Sequence, residues 1–267
     1  MKELLFINDD IFKHSHSSSW YNHPSKFEWV RKQNSEHLVF TDYSVFEVNN
    51  YDSKKKYAWL LESPDITSSS YVFIKNNYDS FDKIFTFDEE LLSISQKFKF
   101  TPIGGCWIEE LERKIHKKTK LISYIMSSKK NTEGHKFRHE IDKKISNVDK
   151  FGFRKPIENK IEGLKDYMFS IVVENCRKNF YFTEKIIDCF ITGTIPIYWG
   201  CPSINNFFDS NGYYTFDNIE ELNSILTSIN LETYYNKLET IQKNFILAKN
   251  YLVADNLIYN YIKNESN

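Results

Sequence analysis

Cysteine is scarce in this chain and poorly placed for structural chemistry. The four residues Cys106, Cys176, Cys189 and Cys201 show no Cys-x-x-Cys spacing and no nearby histidine in a ligand pattern. That argues against a zinc site or a disulfide framework and leaves reduced thiols as the expectation. Long apolar runs are also missing. The opening "MKELLFINDD" meets two aspartates after an apolar stretch too short for a signal peptide and far too short to span a bilayer. The expectation is a soluble, cytoplasmic protein with no transmembrane segment, peripheral to a membrane at most through its partners. Excess charge is absent as well, since 35 Lys and Arg face 36 Asp and Glu for a net −1. A nucleic-acid backbone as main partner needs a concentrated basic surface, so no nucleic-acid partner is expected. The local run "RKIHKKTK" (Arg113 to Lys120) reads as a solvated helix end or linker. Glycine and proline are few, 8 and 6, beside abundant Lys, Asn, Ile, Tyr and Phe. This is the bias of an AT-rich genome and carries no chemistry.

What the chain does have is the composition of a folded protein: 41% hydrophobic and 27% charged residues separate it from disordered sequences. Aromatic residues reach 16%, which supplies many stacking surfaces. A length of 267 residues suits two α/β units of ordinary domain size.

In the first half, short β-branched and aromatic runs alternate with amphipathic segments, without an internal repeat. "ELLFIND" (Glu3 to Asp9), "HLVFTDY" (His37 to Tyr43), "YAWLLES" (Tyr57 to Ser63) and "KIFTFD" (Lys83 to Asp88) predict strands. "SKFEWVRKQ" and "DEELLSISQK" predict helices, and the stretches between them loops. Such alternation favours a parallel sheet with covered faces. The charged segment Glu109 to Lys120 lacks a clear apolar strand and follows Gly104-Gly105, which puts the domain boundary there, with domains 1–115 and 116–267. The pattern then restarts: "KLISYIMSS" as strand, "HKFRHEIDKKI" as helix, "DKFGF" and "YMFSIVVEN" as strands, "FTEKIIDCFITG" as helix and "TIPIYWG" as strand. The last fifth is helical by its apolar spacing (Leu222, Ile225, Leu226, Ile229; Leu238, Ile241, Phe245, Ala248, Leu252), a tail of the kind that packs back across domains.

The passage "VVENCRKNFYFTEKIIDCFITGTIPIYWGCP" (Val172 to Pro202) is the most ordered in pattern. A strand ends in Glu174-Asn175, a loop follows, and a helix starts near Thr183 with Phe182, Ile186, Ile187, Phe190 and Ile191 on an apolar face. Asp188 and Thr192 lie opposite, and Gly193 is its stop. Ligands of open α/β sheets sit beyond the carboxyl ends of strands, so Glu174, Asn175, Tyr181, Glu184 and Lys185 are expected around one crevice. Lys185 stands at the positive end of a helix dipole. It either points to water at a cost of a few tenths of a kcal/mol, or joins the free N–H groups in holding a phosphate.

"ENCRKNFYFTEKIIDCFITGTIPIYWGCPSI" resembles, without gaps, the nucleotide-binding motif of the α-1,3/4-fucosyltransferase family, glycosyltransferase family 10. There a Glu-Asn pair precedes Tyr-x-Thr-Glu-Lys, a helix and an apolar Pro-containing strand. The resemblance implies an α/β fold of GT-B type, two Rossmann-like domains facing a central cleft, with an N-terminal acceptor-binding domain and a C-terminal domain for a nucleotide sugar. It implies transfer of a sugar, usually fucose from GDP-fucose, to a hydroxyl of an acceptor oligosaccharide or glycan, with inversion and no obligatory metal or other cofactor. On matching positions, Asn175, Tyr181 and Glu184 contact the nucleotide and its ribose, Lys185 holds the pyrophosphate, and Glu174 and Thr183 are additional members. Upstream, "LISYIMSSKKNTEGHKFRHEID" offers Arg138 early in a helix as the planar donor to the diphosphate. In the N-terminal half, where the resemblance is weaker, "WLLESPDITSS" offers Glu62 as the catalytic base, with Leu61 where the family has glycine.

No Asp-x-Asp pair is present, the usual metal anchor of the other large class of sugar-nucleotide transferases, which agrees with leaving-group stabilisation by Arg138, Lys185 and a helix N-terminus. Retaining enzymes of GT-B type carry two glutamates eight apart near this helix; Glu174 and Glu184 are ten apart, which rejects that reading. The alternatives are another GDP- or UDP-sugar donor, or a catalytically silent sugar- or nucleotide-binding protein. His14, His16 and His23 in "HSHSSSWYNH" lack a carboxylate or Cys at ligand spacing and read as a polar loop. Trp59, Trp107 and Trp199 at strand ends read as core packing before sugar stacking. The short length without stalk or anchor fits a microbial or viral surface-glycan enzyme.

Overall fold

Runs of β-branched and aromatic residues become parallel strands in both halves of the chain. The computed structural model describes residues 2–8, 17, 19, 21–31, 36–52 and 55–263. Packing divides the chain into two units, Met1–Ile103 with Val253–Asn267, and Gly104–Leu252. The division therefore falls at Gly104, in the glycine pair itself, and not between residues 115 and 116. His14 and His16 lie outside the described residues; His23 is exposed.

The first unit contains β1 (Glu3–Asn8), β2 (Phe27–Val30), β3 (His37–Thr41), β4 (Lys55–Trp59), α1 (Pro64–Asn77), β5 (Lys83–Thr86), α2 (Glu89–Leu92) and β6 (Phe98–Phe100). Its sheet has the order β2-β1-β3-β4-β5-β6, and every neighbouring pair is parallel. Alternation along the strands separates two cores. Leu38, Phe40 and Ala58 face one, together with Tyr71 and Ile74 of α1. Val39, Tyr57 and Trp59 face the other. Two expectations are corrected here. Within the segment read as the helix "SKFEWVRKQ", Phe27–Val30 form β2, because Phe27 and Trp29 are buried on one side and Glu28 is exposed on the other, a period of two set by pairing with β1. The serine-rich stretch read as loop forms α1, with Pro64 at its start; burial of Ser70, Tyr71 and Ile74 overrides weak intrinsic propensity.

The last helix, here α8 (Asp255–Lys263), belongs to this first unit although it closes the chain. Ala254, Ile258 and Ile262, four residues apart, fill the second core. Phe27 and Tyr259 stack with centroids 5.0 Å apart, and the Trp29 indole N–H donates to Asp255 at 2.7 Å.

The second unit holds β7 (Lys120–Met126), α3 (Glu133–Lys144), β8 (Asp149–Gly152), β9 (Tyr167–Val173), α4 (Glu184–Thr192), β10 (Ile195–Trp199), β11 (Tyr214–Thr215), α5 (Ile219–Ser228), α6 (Leu231–Tyr235) and α7 (Leu238–Ala248). Its parallel sheet runs β11-β10-β9-β7-β8. The chain goes outward from β7 to β8 and then returns to the other side of β7 to lay down β9, β10 and β11. The order reverses between β7 and β9, and in open α/β sheets the crevice beyond such a reversal is where ligands bind. The helices that start there are α3 and α4. No helix among the described residues is long and apolar enough to cross a membrane.

Candidate active site

The two helix starts are built differently. At α3, Thr132 caps the helix by accepting from the His135 N–H at 3.2 Å. Gly134 then abuts the end of β9, its N–H donating to the Asn175 carbonyl at 3.1 Å. One turn on, Arg138 is buried and clamps the last carbonyl of β9, with Nε and Nη2 donating to Val173 O at 2.9 and 2.6 Å. Two of its five donors are thus used to place the guanidinium against the strand end. His135 is also buried, and its Nδ1 has no hydrogen-bond partner among the described residues. Burial, and then the positive charges of Arg138, Lys129, Lys185 and His139, push its pKa down to about 4.

At α4, Thr183 is the cap and Glu174 is its anchor. The fully buried Glu174 carboxylate accepts from Thr183 N at 3.0 Å and Thr183 Oγ1 at 2.8 Å, and pairs with Lys185 Nζ at 3.2 Å. Lys185 also donates to Thr183 Oγ1 at 2.9 Å and lies 3.3 Å from Glu184 Oε1. The lysine on the positive end of the helix is therefore held between two carboxylates, which offset the dipole, and does not simply extend into water. Gly200 permits this arrangement, since a Cβ there would stand 2.6 Å from Glu174 Cγ. Asn175 and Tyr181 are both buried beside the helix start.

The side of α4 opposite its apolar face, with Asp188 and Thr192, is buried as well. Asp188 accepts from Trp107 N at 2.8 Å and from Lys160 Nζ at 3.0 Å. Lys160 Nζ reaches Glu184 Oε1 at 3.0 Å as well. Burial works to raise the Glu184 pKa, but Lys160 and Lys185 outweigh it and hold the carboxyl well below the usual range. For Asp188 burial prevails and its pKa is raised. Beyond the other end of α4, Lys118, from the run read as solvated, is buried and donates to Thr192 O at 2.8 Å and Thr194 Oγ1 at 2.9 Å. Gly193 ends the helix at φ 75°, as its position in the pattern indicates. Trp59 and Trp199 are core residues, and the Trp107 ring lies under Lys160.

In the first unit, Glu62 lies in the turn from β4 into α1, at the carboxyl end of the sheet. The turn is held by Asp42, which follows β3, is fully buried and adopts φ 44°. Its Oδ1 accepts from Leu61 N at 3.2 Å and Glu62 N at 3.1 Å. Asp42 escaped the sequence reading, although an aspartate directly after a strand is among the few residue types that tolerate a left-handed backbone. Lys160 escaped it for want of any local signal, lying 24 residues before Glu184.

Among the described residues, no group of three or more His, Cys, Asp or Glu could hold a metal ion. The second-unit site gathers two helix N-termini, a placed guanidinium and the Lys185 ammonium, groups of the kind that can hold an anion, with the Glu174 and Glu184 carboxylates beside that ammonium.

Two doubly wound parallel units in succession, the second with this site at its strand-order reversal, define the GT-B class of transferase folds. The chain belongs to glycosyltransferase family 10: the profile described as "Glycosyltransferase family 10 (fucosyltransferase) C-term" matches residues 115–256, more than half of its length. It is similar to alpha-(1,3)-fucosyltransferase FucT of Helicobacter pylori, 41% identical over 63 residues that make up 22% of this chain and 13% of that protein. Alpha-(1,3)-fucosyltransferase B of Drosophila melanogaster is 32% identical over 97 residues, 33% of this chain and 22% of that one. These alignments thus span under a quarter of the curated relatives' length. In fold, the chain matches a crystal structure of alpha1,3-fucosyltransferase with GDP-fucose with TM-score 0.59 at 18% identity, covering 94% of this chain and 90% of that one. TarM matches with TM-score 0.55 at 12% identity, over 86% and 55%.

Proposed function

We propose that the chain is an inverting glycosyltransferase that moves fucose from GDP-fucose to a hydroxyl of an acceptor glycan. The observation that carries this reading is the pairing of α3 with Arg138 and α4 with Lys185 at the strand-order reversal, in a chain of a fucosyltransferase family. The second unit binds the nucleotide sugar through Asn175, Tyr181 and Glu184, and the first unit binds the acceptor. Glu62 takes the proton of the acceptor hydroxyl as its oxygen bonds to the anomeric carbon in line with the departing group. The bond from that carbon to the diphosphate oxygen breaks, and the charge left on GDP is taken up by Arg138, Lys185 and the helix N-termini, with no obligatory metal. The burial of Arg138 against β9 supports this role, because a guanidinium already fixed needs no reorganisation when charge develops.

The test is a panel of GDP- and UDP-hexoses, each incubated with and without a mixture of oligosaccharide acceptors, with nucleoside diphosphate release and the product's anomeric configuration read by NMR. Acceptor-dependent release from GDP-fucose with inversion is the expected result. Turnover of a different donor reassigns the sugar, and retention overturns the mechanism. Nucleotide binding without turnover of any donor replaces the enzyme with a silent binding protein.

A further inference from the structure

Lys160 has no part in the scheme above, yet it contacts the residue assigned to the nucleotide. It opens the short 3-10 turn Lys160–Gly163 between β8 and β9, and its Nζ bridges Glu184 Oε1 and Asp188 Oδ2 at 3.0 Å each. The Trp107 ring, 4.6 Å from that ammonium to its centroid, closes the other side. Glu184 and Asp188 are four apart on α4, so without a shared cation two largely buried carboxylates would repel along one helix face. The other ammonium at Glu184, that of Lys185, is shared with Glu174. The two oxygens of Glu184 are not equivalent. Oε1 is approached by Lys160 at 3.0 Å and Lys185 at 3.3 Å, whereas Oε2 has Lys185 at the longer distance of 3.5 Å, and the Thr183 hydroxyl also lies against this carboxylate. The side chain keeps 14% of its surface open, against 1% for Asp188, so Glu184 is the carboxylate a ligand can reach.

We propose that Lys160 is a positioning residue for nucleotide recognition: by holding Glu184 Oε1 it turns the carboxylate so that Oε2 accepts from the ribose diol of a nucleoside diphosphate. This rests on the donor-binding reading above and adds to it a device for telling ribose from deoxyribose. A hydroxyl donating to an ionised carboxylate makes a charge-assisted bond, about twice as strong as a neutral one, and its loss weakens binding by about tenfold or more. The same two ammonium groups that bracket Glu184 keep it ionised against its burial.

Calorimetric titration of the wild-type chain, Lys160→Met and Lys160→Arg with GDP and with 2′-deoxy-GDP tests this. The wild type is expected to prefer GDP by about tenfold. Lys160→Met is expected to bind both ligands alike, at the level of the deoxy compound. Lys160→Arg, whose fork can bridge two carboxylates, recovers part of the preference. A role confined to holding the fold together lowers both affinities equally and leaves the ratio unchanged, so a wild-type ratio in folded Lys160→Met overturns the proposal. If that variant does not fold, Lys160→Gln, an uncharged donor of similar reach, decides by the same ratio. A wild type that binds both ligands equally overturns the role of Lys160 and leaves donor binding standing. A wild type that binds neither overturns both.

Discussion

Gly134 stands at the second position of α3, where alanine is intrinsically the better residue by about 1 kcal/mol. The tertiary structure reverses that sign. A Cβ on Gly134 would fall 2.0 Å from the Glu174 carbonyl oxygen and 2.9 Å from the Asn175 carbonyl carbon, backbone atoms that cannot rotate away. Even a tight contact of about 3 Å requires parting α3 from the end of β9 by about 1 Å, and the same movement stretches the 3.1 Å bond from Gly134 N to Asn175 O. Overpacking of this kind costs about 1–3 kcal/mol, so after the propensity gain Gly134→Ala loses on the order of 1 kcal/mol, about 2–4 °C in Tm. Function is expected to suffer more. Arg138 is one turn further along the same helix, and a misplacement of about 1 Å at a reacting centre costs up to about 100-fold in rate. Urea unfolding followed by circular dichroism, with kcat/KM for GDP-fucose, measures both effects. A Gly134→Ala chain as stable as the wild type with unchanged kcat/KM would refute the reasoning.

Lys185→Ala and Arg138→Ala are each expected to lower transfer by about 100- to 1,000-fold and to lose about 1–3 kcal/mol of stability, because Val173 O loses two buried donors in Arg138→Ala and the buried Glu174 carboxylate loses its ammonium partner in Lys185→Ala; unfolding midpoints equal to the wild type's would contradict this. His135 makes the chain acid-sensitive. The unfolded histidine takes its proton below about 6.5 and the folded one only near pH 4, so between these values the unfolded state binds more protons and stability falls as pH falls. The loss approaches about 3 kcal/mol by pH 4, and His135→Gln should flatten that part of the stability profile; an unchanged slope would count against it. Ile258→Ala, in the last helix, is expected to cost about 2–5 kcal/mol and to lower hydrogen-exchange protection in β3 and β4; protection lost only within residues 104–252 would contradict the placement of α8.

The second unit was legible because its local signals agree. In the passage from Val172 to Pro202 a continuous apolar run, a Thr cap, an apolar helix face and a Gly stop follow one another, and β9, α4 and β10 form as that pattern predicts. The first unit was less legible. Phe27 with Val30 has the spacing of a helix face and Phe27 with Trp29 that of a strand face, and only pairing with β1 decides between them. The serines of α1 gave no helical signal, since its stability comes from packing against the sheet. The site divided in the same way. Glu174, Glu184 and Lys185 stand near one another in the chain and were found together. Lys160 and Asp42 reach the residues they orient from distant segments and could not be found by spacing.

By itself, then, the sequence determined the α/β class, the restart of the pattern after Gly104-Gly105 and the residues at the start of α4, because each depends on side chains within one or two turns of one another. Only the tertiary structure decided that the final helix belongs to the first unit, that Arg138 clamps the end of β9 and that Lys185 is balanced between Glu174 and Glu184. These outcomes depend on buried partners that must be satisfied across the fold, a requirement with no fixed spacing along the chain.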